Sequence, residues 1–397
     1  MSEKIPKGWK WMKLGDVVII NPNETLKKGI IAKKVPMEAL LPFTKKVKFF
    51  VFEKYNGGVK FKNGDTLVAR ITPSLENGKT VYVDLLDDNE IGFGSTEFIV
   101  LREKSGITDK QFVYYFAISN DFRDVAIKSM TGSSGRQRVQ NEVVKEFEFP
   151  LPPLPEQKSI AEVLSSIDDK IDLLHRQNKT LEEMAMTLFR KWFIEDAEGD
   201  WEEVKLGGYF DLLGGFPFKS KDYSDFGKYK IITIKNVQDG YLDISNSQTI
   251  ENLPQGIKPY QILEIGDILI SLTGNVGRIC IVDTNNCLLN QRVAKIVPKN
   301  SEWKPFAYFY FKRAEITQLL TNLAKGSAQL NLSPIETLKL TDTFPSSEII
   351  EKFNKIVQPI FEKILTNKQQ IRRLEQLRDT LLPKLMSGEA KIMNNEQ

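Results

Sequence analysis

Histidine is almost missing from this 397-residue chain, which has His175 alone, and cysteine is scarce, with Cys280 and Cys287 as the two examples. Such a set falls short of the four ligands a structural zinc site takes, so no metal is expected, nor any other cofactor. Both cysteines read as ordinary core or strand residues. Long apolar runs are absent as well: no stretch approaches about eighteen apolar residues, the length of a membrane helix. The segment Met1 to Lys10 is polar and charged, which argues against a secretory signal and makes a cytoplasmic location without membrane contact the expectation. Nor is there a large excess of either charge, since 55 Lys and Arg against 52 Asp and Glu leave +3. A balanced total can still hide basic surfaces, and Lys27, Lys28, Lys33 and Lys34, with Lys45, Lys46 and Lys48, form two clusters most simply read as solvated loops.

What is present is a sequence written twice. With 41% hydrophobic and 27% charged residues, the chain can bury real cores and make two or three domains. An offset of 193 residues lays Ile160, Leu164, Ile167, Ile171, Leu181 and Leu188 on Phe353, Val357, Ile360, Ile364, Leu374 and Leu381. Each of these helical stretches follows a globular stretch of similar length. The repeat continues there with a drifting offset, as loop insertions would produce. Trp9, Lys13, Leu14 and Gly15 answer to Trp201, Lys205, Leu206 and Gly207. Gly64-Asp65-Thr66-Leu67-Val68 matches Gly266-Asp267-Ile268-Leu269-Ile270, each a turn feeding a strand. Phe112, Tyr114 and Tyr115 match Phe306, Tyr308 and Phe309 in aromatic helical stretches, whose simplest role is core packing under a sheet.

A stiff elbow, Phe149-Pro150-Leu151-Pro152-Pro153-Leu154-Pro155-Glu156-Gln157, precedes the first long helix. Prolines this dense cannot continue a sheet, yet Pro155 suits a helix's first turn. The second elbow keeps Phe344-Pro345-Ser346-Ser347-Glu348, where serine can cap instead. Beyond each elbow runs a heptad seam: Ile160, Leu164, Ile167, Ile171, Leu174, Asn178, Leu181 and Leu188 in the first helix. Phe353, Val357, Ile360, Ile364, Asn367, Ile371, Leu374 and Leu381 form it in the second. One seam asparagine in each helix favours a single pairing register. Tandem copies would most simply lay the helices antiparallel. Val163, Met184 and Phe189, with Ile356, Leu377 and Leu382, widen the stripe beyond what a two-helix coil needs, which predicts a docking surface for other helices or packing on the chain's own modules.

Catalytic motifs are weak. Pro73-Ser74-Leu75-Glu76-Asn77-Gly78-Lys79-Thr80 imitates a phosphate-cradling loop but has proline in the first glycine's place. Its counterpart Thr273-Gly274-Asn275-Val276-Gly277-Arg278 keeps a glycine and a cation. Paired glycine loops of this kind suit backbone approach to nucleic-acid phosphate, or plain hairpins, better than nucleotide hydrolysis. Glu203-Val204-Lys205 is a nuclease-like acid-x-lysine without a mate in the first copy, where Trp11-Met12-Lys13 stands. No Asp/Asn-Pro-Pro-aromatic motif of amine methylation occurs, and His175 lies on the helix outside the seam.

The first elbow with its helix, together with Leu377-Arg378-Asp379-Thr380-Leu381-Leu382-Pro383-Lys384-Leu385-Met386-Ser387-Gly388-Glu389, resembles the two helical regions of the DNA-specificity (S) subunit of type I restriction-modification systems. The resemblance covers the whole order of module, helix, module, helix. It departs at the second elbow and in the modules, which match only in outline. The resemblance implies an α+β fold of two tandem mixed α/β target-recognition domains and two long helices that pair as an antiparallel coiled coil with pseudo-two-fold symmetry. Domain 1 would span residues 1–150, helical spacer 1 residues 151–195, domain 2 residues 196–345 and helical spacer 2 residues 346–397. It further implies a non-catalytic subunit of a prokaryotic defence system whose partners are double-stranded DNA, two methyltransferase (M) subunits docked on the helices, and restriction (R) subunits in the larger complex.

Elementary geometry agrees, since a helix of roughly 40 residues spans about 60 Å, longer than the ~34 Å repeat that separates equivalent faces of a duplex. Diverged modules imply an asymmetric, bipartite site whose unread spacer is set by the helices. Base reading wants Arg, Asn or Gln, and positioning wants Lys, Arg or amides. The candidates are Arg70, Lys79, Arg136, Gln137 and Arg138 in the first module. Asn275, Arg278, Gln291, Arg292, Lys325, Gln329 and Asn331 are those of the second. A coiled-coil adaptor that never meets DNA and a nucleotide-dependent enzyme are the other two readings.

Overall fold

Alternation of apolar residues along a few short strands builds both globular parts of this protein. The computed structural model describes residues 5–197, 201–325 and 331–392. In chain order the strands of the first copy are β1 (Lys10–Lys13), β2 (Val18–Ile20), β3 (Ile31–Val35), β4 (Val51–Lys54) and β5 (Val59–Phe61). Then come β6 (Thr66–Ala69), β7 (Thr80–Tyr82), β8 (Gly92–Gly94), β9 (Phe98–Glu103) and β10 (Glu148–Leu151). Its helices are α1 (Leu14–Val17), α2 (Lys110–Ile118), α3 (Asn120–Lys128), α4 (Asn141–Glu146) and the long α5 (Leu154–Arg190), which ends in a π-turn at Lys191–Glu195.

The second copy repeats the plan with β11 (Glu202–Lys205), β12 (Phe210–Gly214), β13 (Tyr229–Ile232), β14 (Gln248–Ile250) and β15 (Ile262–Leu263). There follow β16 (Ile268–Ser271), β17 (Ile279–Ile281), β18 (Cys287–Leu289), β19 (Val293–Pro298) and β20 (Thr341–Phe344). Helices α6 (Lys304–Lys312), α7 (Ala314–Lys325), α8 (Pro334–Lys339) and α9 (Ser347–Met386) complete it.

The chain divides into two compact units: residues 1–173 with 373–397, and residues 174–372. Each long helix therefore contributes to both, a division different from the linear order of domains and spacers that the sequence suggests. Within the first unit the strand orders are β2-β9-β6-β7, β4-β3-β8-β5 and β1-β10; within the second they are β12-β19-β16-β17, β14-β13-β18-β15 and β11-β20. One parallel pair, β3 with β8 and β13 with β18, makes one sheet of each unit mixed.

Period two assigns the faces of the other four-stranded sheet. In the first unit Leu67, Val81, Phe98 and Val100 share a core with Val35 and Phe61, while Val68, Tyr82, Ile99 and Leu101 face α2 and the long helices. In the second, Leu269, Cys280 and Val293 face one way and Ile268, Ile270, Ile279 and Ile281 the other. Both cysteines are buried and unbridged, and burial pushes the Cys287 thiol up to about 11. The aromatic residues Phe112, Tyr114, Tyr115, Phe306, Tyr308 and Phe309 are buried under these sheets.

The turns named by the repeat fold alike. Gly64 and Gly266 sit at φ of 95° and 90°, a region glycine enters without a Cβ clash. Asp65 then accepts from Lys62 N at 2.8 Å and Asp267 from Glu264 N at 2.9 Å.

The elbows explain where the long helices start. Gln157, fully buried, donates to Pro152 O at 2.8 Å and Ile107 O at 3.0 Å and accepts from Asp109 N at 3.0 Å, tying the first turn of α5 to the start of α2. The proline run supplies no local donor for the Pro152 carbonyl, and the carboxamide provides one. Without that run, the second unit uses Asn354, which accepts from Phe306 N at 3.0 Å inside α6.

The seam residues Ile160, Leu164, Ile167, Ile171, Leu174, Phe353, Val357, Ile364 and Ile371 are buried, and Leu181, Leu188, Ile360, Leu374 and Leu381 half-buried. In the second unit Asn367 Nδ2 donates to Asn178 Oδ1 at 2.9 Å and Phe189 stacks edge-on to Phe353, so the helices run antiparallel there. Asn367→Leu alone is expected to destabilise by about 1–3 kcal/mol, because it leaves the buried Asn178 carboxamide oxygen without that donor. Asn178→Leu with Asn367→Leu is expected to recover most of the loss. Urea unfolding of the three proteins checks this, and additive losses would refute it.

Two sequence expectations are corrected here. Phe189 and Leu382, assigned to partner docking, lie 1% and 9% exposed inside the cores of their own units. A widened stripe is covered by the chain's own cores at those positions, Phe189 by Phe306 of α6 and Phe353 of α9 among others. Val163 is half-buried against the first core, while Met184, Ile356 and Leu377 are exposed. Likewise Lys33 and Lys45 are buried rather than solvated: Lys33 pairs with Asp87 at 2.9 Å and Glu90 at 2.8 Å. Lys45 donates to Gln111 at 2.7 Å, and burial lowers its pKa against the pull of Asp168.

Candidate nucleic-acid interface

Three segments of the first unit meet beyond the end of β6. Arg70 N donates to Glu97 O, Val139 N to Arg70 O and Thr72 N to Gln137 O, at 2.9 to 3.0 Å. These bonds draw the loop after β6, the residues before β9 and the segment 131–139 into one cluster. The last is a hairpin, closed by Thr131 N to Arg138 O at 3.1 Å and Arg138 N to Thr131 O at 2.9 Å. Gly132 and Gly135 occupy positive φ in it, and Arg136 lies exposed near its tip. Arg70, half-buried, donates Nη2 to Val139 O at 2.8 Å and so braces the hairpin from beneath. Gln137 is half-buried and Arg138 exposed.

Arg138 is also ion-paired. Its Nε reaches Glu97 Oε2 at 2.9 Å and its Nη2 reaches Oε1 at 2.7 Å. The Arg138 hydrogen bond holds the Glu97 carboxyl below its ordinary value despite opposing desolvation.

Lys79 belongs to a different environment. It is half-buried and donates to Met37 O at 3.2 Å. The loop ahead of it is not an amide cradle: Ser74, Leu75, Asn77, Gly78, Lys79 and Thr80 all donate their N–H groups to carbonyls of the loop itself or to Ile71. A phosphate would find no converging free amides, and the loop leads into β7 rather than a helix. Of the two expectations for this loop, its internal backbone bonds fit the plain hairpin. Glu203 accepts from Thr341 Oγ1 at 2.6 Å within the β11–β20 ladder, an ordinary strand position.

The second unit assembles the equivalent segments. Leu272 N donates to Arg292 O at 3.0 Å and Leu332 N to Leu272 O at 2.7 Å, which sets Arg292 and Asn331 on either side of the loop after β16. Arg278 occupies the place of Lys79, since Ser271 N donates to Arg278 O as Ala69 N does to Lys79 O. Its guanidinium is held by Gln238 Oε1 at 2.6 Å, and with its carboxamide oxygen turned inward Asn275 accepts from Nη2 at 2.9 Å. Gln291, Arg292, Lys325 and Asn331 are exposed. Gln329 lies outside the described residues.

Sequence alone does not point to Glu97, an acid among residues where DNA contact wants bases and amides, nor to Gln238, which has no counterpart in the other copy. The repeat could have found Glu97. Phe98 and Val293 open equivalent strands, so Glu97 aligns with Arg292. Among the described residues no helix is long and apolar enough to cross a membrane, and no acidic, histidine or cysteine cluster is placed to hold a metal.

Comparison with known proteins places the chain in a family. The family model described as the type I restriction modification DNA specificity domain matches twice, over residues 6–183 and 198–376. The chain belongs to that family and carries two copies of its domain. Among its relatives, the Haemophilus influenzae type I restriction enzyme HindI specificity subunit is 26% identical, across 83% of this chain and 87% of that protein. The Methanocaldococcus jannaschii MjaVIII specificity subunit is 24% identical across 98% and 95%. The solved type I restriction-modification S subunit of M. genitalium shares the fold with a TM-score of 0.56 at 21% identity, covering 97% of each chain.

Proposed function

We propose that this chain is the sequence-specificity subunit of a type I restriction-modification complex, in which each unit reads one half of a bipartite, asymmetric DNA site. The observation that carries the reading is the contrast between the repeated sheet order of the two units and the changed side chains on their equivalent loops, Glu97 against Arg292 and Arg138 against Asn331. A constant frame with variable loops is how binding proteins vary specificity without changing fold. Arg136, Arg138, Arg292 and Lys325 supply exposed cations for phosphates and base edges.

Chemistry in this reading belongs to methyltransferase subunits, and to restriction subunits in the larger assembly, all working on DNA in the cytoplasm. Met184 and Ile356 in the second unit, and Leu377 in the first, put apolar side chains on the solvent side of α5 and α9, and we assign each to contact with a methyltransferase partner. The helices set the unread spacer between the half-sites.

Exchange of residues 1–150 for another module, followed by methylation mapping with the assembled complex, tests the proposal. One half of the methylated sequence is expected to change while the other stays. A change in both halves, or in neither, rejects it.

A further inference from the structure

Clamping an arginine on a carboxylate uses only one edge of its guanidinium. In the first unit Glu97 takes Nε and one N–H of Nη2 of Arg138, at 2.7 to 3.0 Å. The planar fork then turns Nη1 and the second N–H of Nη2 the other way. Nη1 has no partner among the described residues, and the Arg138 side chain is 45% exposed. The free edge therefore offers two parallel donors, and it is aimed before any ligand arrives. Its base is rigid as well, because the hairpin is closed by two backbone bonds and braced by Arg70.

Two parallel donors suit two acceptors in one plane. In a duplex, guanine O6 and N7 present that pair in the major groove. A phosphate oxygen pair accepts the same donors, but a mobile lysine or arginine serves it equally well. Holding the fork in advance removes the entropy cost of ordering a long side chain and restricts the directions from which an acceptor can be met. Such preorganisation benefits reading at one fixed position more than backbone attraction.

We infer that Arg138, aimed by Glu97, reads a guanine in the half-site of the first unit. The inference rests on the DNA-specificity reading above. In the second unit the two equivalent places hold Arg292 and Asn331, so no carboxylate-clamped arginine stands there. The second unit therefore lacks this preset, carboxylate-aimed contact at the equivalent place.

The test uses the full chain with its modification partner, selecting from a randomised duplex library and mapping methylated sites. The wild-type half-site that follows the first unit is expected to contain a G·C pair that Arg138→Gln relaxes, with a roughly 10- to 100-fold loss of preference at that pair alone. Glu97→Gln keeps the arginine but frees it, and is expected to weaken the same preference by a smaller factor. Neither variant should alter the other half-site, which also reports that the protein is folded. The inference is overturned if that half-site holds no G·C pair, or if Arg138→Gln weakens all sequences equally with a shallower salt dependence, the mark of a phosphate contact. A wild-type complex without sequence selection would instead sink the specificity reading itself.

Discussion

Arg378→Ala should remove about 3–5 kcal/mol from the stability of the first unit, the cost of leaving a buried charge without its partner. The partner is Asp168, which accepts from Arg378 Nη1 at 3.0 Å and from Tyr115 Oη at 2.6 Å. The two charged side chains are 8% and 5% exposed, so water screens the pair little. Arg378 lies on α9, Asp168 on α5 and Tyr115 on α2, and their cluster pins both long helices to the first module. The second unit solves the same problem with other residues. Glu182 accepts from Tyr308 Oη at 2.9 Å and pairs with Lys312, while Arg372 pairs with Asp283 at 2.6 Å. Chemical denaturation followed by amide exchange measures the effect, and a loss under about 1 kcal/mol, the scale of an exposed pair, would show that the cluster does not hold the helices.

The second large effect is expected at Phe353, fully buried near the start of α9. Its ring centroid stands 4.9 Å from Phe193, 5.6 Å from Phe189, 6.1 Å from Trp192 and 6.4 Å from Phe306. Those neighbours come from the end of α5, the π-turn after it and α6. Phe353→Ala opens a cavity that several rigid rings cannot refill, at a cost of about 3–5 kcal/mol. Phe353→Leu keeps more of the volume and should lose distinctly less. If both variants unfold at the same denaturant concentration, the aromatic cluster is not a closely packed unit.

Much of the fold was legible because the chain carries its own comparison. Neither Gly64-Asp65 nor Gly266-Asp267 says much alone, yet together they marked the same turn and the same strand. The seam was equally readable, since Asn178 and Asn367 interrupt two apolar stripes at related positions. What failed were inferences about which neighbour covers a side chain. Periodicity placed Phe189 and Leu382 on an outward flank, but it cannot tell a partner protein from the chain's own module packed back onto the helix. Charge misled at Lys33 and Lys45 for a related reason: the acids and amide that receive them come from distant segments, Asp87 and Glu90 for one and Gln111 for the other. Of the candidate interface, the hairpin with Arg136, Gln137 and Arg138 could be seen as a basic, glycine-flanked stretch. Its clamp could not, because Glu97 is 41 residues away and joins it through tertiary structure.

The sharing of helices between units carries a consequence for biosynthesis. The core around Leu14, Phe112 and Ile160 also takes in Leu382, Leu385 and Met386, from a stretch of chain that follows the whole of the second unit's residues. Residues 174–372 are complete before that stretch emerges. Of the two units, the one begun earlier is thus the one finished later, and a premature stop near codon 373 would injure the first unit rather than the second.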